Sequence, residues 1–150
     1  MENQNYQKSI ITDVSAEEAF NKICDVKKWW AANFKGRARN LNDIFTLRFG
    51  KNKFTLKVVE VVQNKKFVSL VTDCNMPWLN DKTEWKNTRI VFEISEEKIQ
   101  TIIGLTHIGL VPEVECYNVC EAGWEQYFGE SISALLATGK GILFDDQYER

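Results

Sequence analysis

The chain has 150 residues, of which 44% are apolar, 27% charged and 12% aromatic, a profile of one globular domain with an aromatic-rich interior and not of a disordered or fibrous chain. Nineteen basic residues against twenty-one acidic ones give a net charge of −2, and no lysine or arginine run is long enough to grip a phosphate backbone, so nucleic acid is not an expected partner. At this length roughly 68–70% of the unfolded chain's surface can be buried, enough for one sizeable core.

Residues 1–5 carry neither the basic segment nor the apolar stretch of a secretory signal, and no apolar run approaches the roughly 20 residues that span a bilayer. A cytoplasmic protein without membrane insertion is expected. Cys24, Cys74, Cys116 and Cys120 are scattered among apolar neighbours, which suits reduced thiols in a core and no disulfides. No linker, repeat or low-complexity segment divides the chain, so 1–150 is expected to be one domain, with a disordered acidic tail at 145–150.

In chain order, Tyr6 to Thr12 reads as a short strand running into Ser15-Ala16-Glu17-Glu18. That tetrapeptide is a capping box, in which the Ser15 hydroxyl accepts from the Glu18 N–H and the Glu18 carboxylate reaches back. The helix it starts carries Ala19, Phe20 and Ile23, and a short helix or turn follows around residues 26–30. From Ile44 the pattern changes to period two: Phe45, Leu47 and Phe49 alternate with Thr46 and Arg48, and 50–53 supplies turn residues. Phe54, Leu56 and Val58 form the returning strand, and 63–65 turns the chain into a strand at 66–73. Thr88, Ile90, Phe92 and Ile94 share one face, 95–97 is the expected turn, and 98–107 the last strand. Short sequential strands with tight turns imply an antiparallel meander with one buried face.

The spacing then becomes helical. Cys120, Trp124, Tyr127, Phe128, Ile132 and Leu135 fall on one stripe, with Glu121, Glu125 and Glu130 directed away. Asn118 with Glu121 suggests a second capping box, and Gly139 a C-terminal stop. A helix over 118–138 would be roughly 30 Å long, enough to cross the sheet. The pattern is α+β. Either the helix lies on a solid core, or the sheet curls and leaves a cavity beneath it. Gly123 and Gly129 inside the helix fit close packing or free space.

Residues 106–113 (THIGLVPE), 123–127 (GWEQY), 135–141 (LLATGKG) and 14–20 (VSAEEAF), the last followed by Trp29-Trp30, resemble the START-like (SRPBCC) superfamily. The branch they are most similar to is that of activators of the heat-shock chaperone ATPase. The resemblance implies a helix-grip fold: a curved antiparallel sheet of about six to seven strands around a long C-terminal helix, with two short helices after the first strand. It also implies a hydrophobic pocket between sheet and helix. The alternation and the stripe would then supply its walls from Phe45, Leu47, Phe54, Leu56, Trp78, Trp85, Trp124, Phe128 and Ile132, with His107 and Tyr127 as further candidate ligand contacts.

Each candidate has a plainer structural role. His107, the single histidine, titrates near neutral pH, yet a lone histidine beside a helix start more often satisfies a local hydrogen bond. Cys116 and Cys120 could join His107 as metal ligands, but cysteines on a stripe of this kind behave as small core hydrophobes; no metal and no cofactor is expected. Trp29-Trp30 and 76–79 (MPWL) could form a pocket lid, close one end of the core or dock a partner. Asp73, Glu84 and Arg89 could orient a ligand or form surface ion pairs.

The first functional expectation is a binding protein, more simply not an enzyme, that encloses an apolar or amphipathic small molecule (lipid-like or aromatic) in a cavity of a few hundred Å³. The alternative is a chaperone-regulating or other protein-interaction domain with a protein partner. A third is a cyclase or hydrolase with His107 and Tyr127 as acid or base, which requires both to face one cavity.

Overall fold

The computed structural model describes residues 4–142; the tail at 145–150 lies outside them. Seven strands form one antiparallel sheet in the order β1-β7-β6-β5-β4-β3-β2. The strands are β1 Tyr6–Thr12, β2 Asn33–Gly36, β3 Ile44–Phe49, β4 Asn52–Val62, β5 Lys66–Asn75, β6 Arg89–Glu97 and β7 Gln100–Ile108. Strands β2 to β7 follow one another as a meander, and β1 closes against β7 with Tyr6 opposite His107 and Thr12 opposite Thr101. Two register shifts in the β4–β5 pair, after Thr55 and after Val58, are the irregularities that bend and twist a sheet.

Turn chemistry explains the hairpins. Gly50 and Asn64 adopt positive φ at the β3–β4 and β4–β5 turns, a conformation that glycine and asparagine tolerate best. The expected turn at 95–97 lies further on. Strand β6 continues to Glu97, which pairs with Gln100, and Lys98 takes the positive φ of 56°. Strand β2 is absent from the sequence expectation, because four residues with one half-buried side chain, Phe34, carry no clear alternation.

Between β1 and β2 lie α1 (Ala16–Cys24) and α2 (Val26–Trp29). Ser15 caps α1 as expected, its hydroxyl accepting from the Glu18 N–H at 3.1 Å, while the next free amide, Ala16, donates to the Glu96 carboxylate. The inner face of the sheet and these helices share one core. Phe20 meets Phe67 edge-on at 6.2 Å, Trp29 meets Phe92 at 5.9 Å, and Phe92 packs on Phe128 at 5.9 Å. Each such ring contributes about 1.5–3 kcal/mol by leaving water.

The terminal helix runs as α3 (Tyr117–Trp124), a π-helical segment (Glu125–Ser131) and α4 (Ile132–Thr138). Gly139 ends it in the left-handed region at φ 84°, its N–H donating to Leu135. All six residues of the predicted stripe are buried. The π segment has a cause in their spacing. Cys120, Trp124, Phe128 and Ile132 follow at steps of four, and each such step overshoots a full α-helical turn by about 40°. The wider π turns absorb that drift and keep the four side chains on the sheet.

Side chains pin the segment at both ends. Glu125 accepts from the Tyr6 hydroxyl and pairs with Lys8 at 2.8 Å, contacts that hold its carboxyl below the usual range, the Lys8 hydrogen bond most strongly. The Ser131 hydroxyl donates to the Trp29 carbonyl at 2.7 Å and accepts from Ile142 N–H at 2.9 Å. Gly129 permits the first anchor, since a Cβ there would stand 3.0 Å from Lys8 Cε. The expected Asn118–Glu121 capping box is not where the helix starts: Cys116 is the N-cap, and its side chain makes no capping hydrogen bond. Among the described residues no helix is long and apolar enough to cross a membrane.

Candidate functional site

A cleft of about 70 Å³ opens where the terminal helix meets the residues joining β5 to β6, here called the strap (76–88). Its floor comes from the tight β3–β4 hairpin: Phe49 and Phe54, which pack at 6.0 Å, and Asn52. The strap supplies Met76, Trp78 and Trp85, and Trp30 enters from the end of α2. The helix wall is Cys120, Gly123, Trp124 and Tyr127, with Val119, 37% exposed, at the edge. The rings are mutually ordered: Trp85 stacks on Trp124 with planes 9° apart and centroids at 6.2 Å, Trp30 lies 5.1 Å from Trp124, and Phe54 lies 4.7 Å from Trp85.

Polar groups in the cleft are few. Asn52 gives its Nδ2–H to the Phe49 carbonyl at 3.2 Å and takes the Trp78 indole N–H on Oδ1 at 2.9 Å. Cys120 also lines the cleft, while Tyr127 borders it with its hydroxyl oxygen buried. Gly123 keeps the helix wall recessed, because a Cβ there would find only the Tyr127 ring, at 3.8 Å. Wider grooves elsewhere, such as one of about 630 Å³ between β1 and α4, have walls of mixed polarity without an aromatic ring.

The strap is fastened to the helix start by two carboxylates. Glu84 accepts from the backbone N–H groups of Glu115 at 2.7 Å and Cys116 at 2.9 Å, satisfying amides that the first turn of a helix leaves open. Glu115 accepts in return from the Asn80 backbone at 3.0 Å. Glu84 is therefore a helix cap and neither a pocket group nor a surface ion pair, and Asp73 and Arg89 are exposed on the sheet.

His107 is fully buried behind the cleft, not in its wall. Trp124 donates its indole N–H to Nδ1 at 3.1 Å. Nε2 therefore carries the ring proton and donates to the Thr88 hydroxyl at 2.9 Å, which itself donates to the Trp85 carbonyl at 2.6 Å. Burial lowers the imidazole to about 3, so it is neutral at physiological pH. The geometry that an acid or base role required, His107 and Tyr127 facing one cavity, is not present.

Of the residues expected to bind ligand, Phe54, Trp78, Trp85, Trp124 and Tyr127 border the cleft. Phe45, Leu47, Leu56, Phe128 and Ile132 are packed in the core and do not reach it. The correction has one physical cause. Toward the middle of the sheet, α1 and α2 fill the space under the helix, so the opening survives only at the strap end and is smaller than a few hundred Å³. The Trp29-Trp30 pair divides accordingly: Trp29 is core, its indole N–H on the Ile23 carbonyl at 3.1 Å, and Trp30 is cleft wall. Met76 lies in the 76–79 segment expected as a candidate lid, whereas Phe49, Asn52, Val119, Cys120 and Gly123 were not named as contacts, and only the turn signal at 50–53 hinted that this hairpin end matters. Among the described residues no group of three or more histidines, cysteines or carboxylates gathers to hold a metal.

The curved antiparallel sheet and the long C-terminal helix make a START-like helix-grip fold. Solved structures share it. The Aha1 dimer from Colwellia psychrerythraea matches 91% of this chain and 98% of its own at TM-score 0.75 and 23% identity. CalU16 from Micromonospora echinospora matches 91% of this chain and 75% of its own at TM-score 0.65 and 14% identity. DynU16, from the dynemicin biosynthetic locus, matches 99% of this chain at TM-score 0.68 and 12% identity, and the chain spans about half of it, 51%. At these identities the likeness is one of fold. No protein-family model and no curated protein matches the sequence.

Proposed function

We propose that this protein is a non-enzymatic cytoplasmic binding protein that takes a flat apolar or amphipathic small molecule between the strap and the terminal helix. The observation that carries the reading is the cleft wall itself: aromatic rings from the strap, the hairpin and the terminal helix, with Asn52 and Cys120 among them. Rings bind planar apolar surfaces by stacking, and a few placed polar groups orient them. Phe54, Trp78, Trp85, Trp124 and Tyr127 are the contacts, and His107 holds Trp124 and, through Thr88, the strap in position. A volume of about 70 Å³ is below the several hundred Å³ of a drug-sized site, so binding widens the cleft, and the half-buried Trp78 is the ring that moves. Native mass spectrometry of freshly purified protein, followed by thermal shift with a fatty acid, a sterol and an aromatic polyketide, tests this. A retained small molecule or a raised Tm supports it; no retained mass and no shift with any of the three removes it.

A second reading, a chaperone-regulating interaction domain, is supported by the likeness to the Aha1 structure over 98% of that chain and by Val119 exposed at the cleft edge. It requires a protein that co-purifies with the chain. A monomer that captures nothing from a lysate counts against it.

A further inference from the structure

Five adjacent strands each place one side chain in a single line across the outer face of the sheet, the face turned away from the helices. Ile44 on β3 stands opposite Lys57 on β4, Lys57 opposite Leu70 on β5, Leu70 opposite Arg89 on β6, and Arg89 opposite Ile108 on β7. Each has a buried neighbour in its own strand, in turn Phe45, Val58, Val71, Ile90 and His107, so alternation along the strand turns all five outward.

The apolar members of the line are not covered: Ile44 is 56% exposed, Ile108 42%, and Leu70 is half-buried. Its cations are not ion-paired either, since the pairs among the described residues are Lys8 with Glu125, Lys28 with Asp25 and Lys66 with Glu60. Further along the same face Arg48 stands opposite Lys53, and Lys35 opposite Thr46. The carboxylates there are Asp73, opposite Thr55, and the two beside Lys66, Glu60 by ion pair and Glu93 by register. A chain of net charge −2 thus gathers uncompensated positive charge on one side of its sheet, and such a field selects an acidic partner.

The spacing narrows the shape of that partner. Neighbouring strands lie about 4.8 Å apart, so apolar and cationic side chains alternate at that interval over about 19 Å. An α-helix presents one side chain per turn of about 5.4 Å to a given face. Laid across the strands it stays nearly in step, ending about 2.4 Å out of register, within the reach of lysine and arginine. An extended segment shows one face a side chain only every 6.7 Å or so and falls out of step by the second contact. The line contains no aromatic residue, the type that seats a protein in a membrane interface, which favours a protein partner over a lipid surface.

We propose that this line is a docking surface for an acidic amphipathic α-helix of a partner protein, whose successive turns offer apolar, acidic, apolar, acidic and apolar side chains. The apolar ones cover Ile44, Leu70 and Ile108, and the carboxylates pair with Lys57 and Arg89. The surface lies on the opposite side of the sheet from the aromatic cleft and does not depend on the cleft holding a ligand.

A fluorescein-labelled synthetic helix with leucine and glutamate alternating turn by turn tests this on the full chain, against a scrambled peptide of the same composition. Anisotropy gives the affinity and amide chemical shifts the location. The patterned peptide should bind about tenfold more tightly than the scrambled one, shift the five residues of the line, and weaken about tenfold when salt is raised from about 50 to about 500 mM. Lys57→Glu combined with Arg89→Glu should weaken it about tenfold or more. Ile44→Ser, which keeps every charge and alters an exposed side chain, should weaken it severalfold at an unchanged Tm. Lys51→Glu combined with Lys98→Glu, the same charge change at two hairpin turns, should leave the affinity as it is. Equal binding of the two peptides, equal losses in the two charge-reversed variants, or shifts centred on Trp85 and Trp124 overturns the proposal. So does capture by phosphatidylserine vesicles, lost with Lys57→Glu and Arg89→Glu, in a protein that binds neither peptide.

Discussion

Trp124 donates its indole N–H to Nδ1 of His107 at 3.1 Å, and this one bond sets the polarity of a buried chain that ends on the strap. With Nδ1 occupied as an acceptor, the ring must donate from Nε2 to Thr88, and Thr88 must donate to the Trp85 carbonyl. The helix wall and the strap wall of the cleft are thus coupled through an imidazole that neither wall exposes.

Acid should break that coupling. The folded imidazole, lowered by burial to about 3, lies below its ordinary value near 6.5, so the unfolded chain takes up the proton first as pH falls. The contribution of His107 is complete above about pH 6.5 and is lost from there down toward pH 3, at about 1.4 kcal/mol per unit. His107→Gln keeps an acceptor for Trp124 and a donor for Thr88 without titrating. Urea unfolding at pH 7 and pH 4 should show wild type losing about 3 kcal/mol more than the variant; parallel losses would refute the assignment.

Glu84 is a second point of attachment. Replacing it by alanine leaves the amides of Glu115 and Cys116 without their acceptor, a loss of about 1–2 kcal/mol. Glu84→Gln, which retains one acceptor oxygen, should lose less. Denaturant midpoints at constant m-value give the comparison, and the alanine variant should also release the strap to hydrogen exchange.

The glycines of the site should respond in opposite senses. At Gly123 a Cβ meets the Tyr127 ring at an ordinary 3.8 Å, so Gly123→Ala gains about 1 kcal/mol of helix propensity while narrowing the cleft. Thermal stability should rise and affinity for a flat apolar ligand fall. At Gly109, with φ at 107°, the same atom would lie 2.6 Å from Thr88 Cγ2. Gly109→Ala should therefore destabilise and displace Thr88 from His107, and equal effects at both positions would contradict the geometry.

Ser131 tests the far end of the π segment. Its buried hydroxyl serves Trp29 and Ile142 at once, so Ser131→Ala leaves a buried carbonyl unsatisfied at about 1–3 kcal/mol. A change within about 0.5 kcal/mol, the range of an ordinary surface substitution, would show that the segment is held by packing alone.

Period-two alternation from Phe45 to Val58 and the four-residue steps from Cys120 to Ile132 were sufficient to read the meander, the terminal helix and the face each turns inward, because both patterns follow from backbone geometry and local burial. The π segment Glu125–Ser131 was not among the expectations, which had one continuous α-helix over 118–138. Alternation could not say where along that shared face a space remains. Phe45 and Phe54 lie on adjacent strands with the same orientation, yet only Phe54 meets the cleft, because α1 and α2 fill one end of the concave face and leave the other to the strap. The neutral, enclosed His107 and the capping role of Glu84 depend on residues brought together across 17 to 32 positions of chain. Long-range contacts of that kind exist only after folding, which is why the tertiary structure alone decided the site.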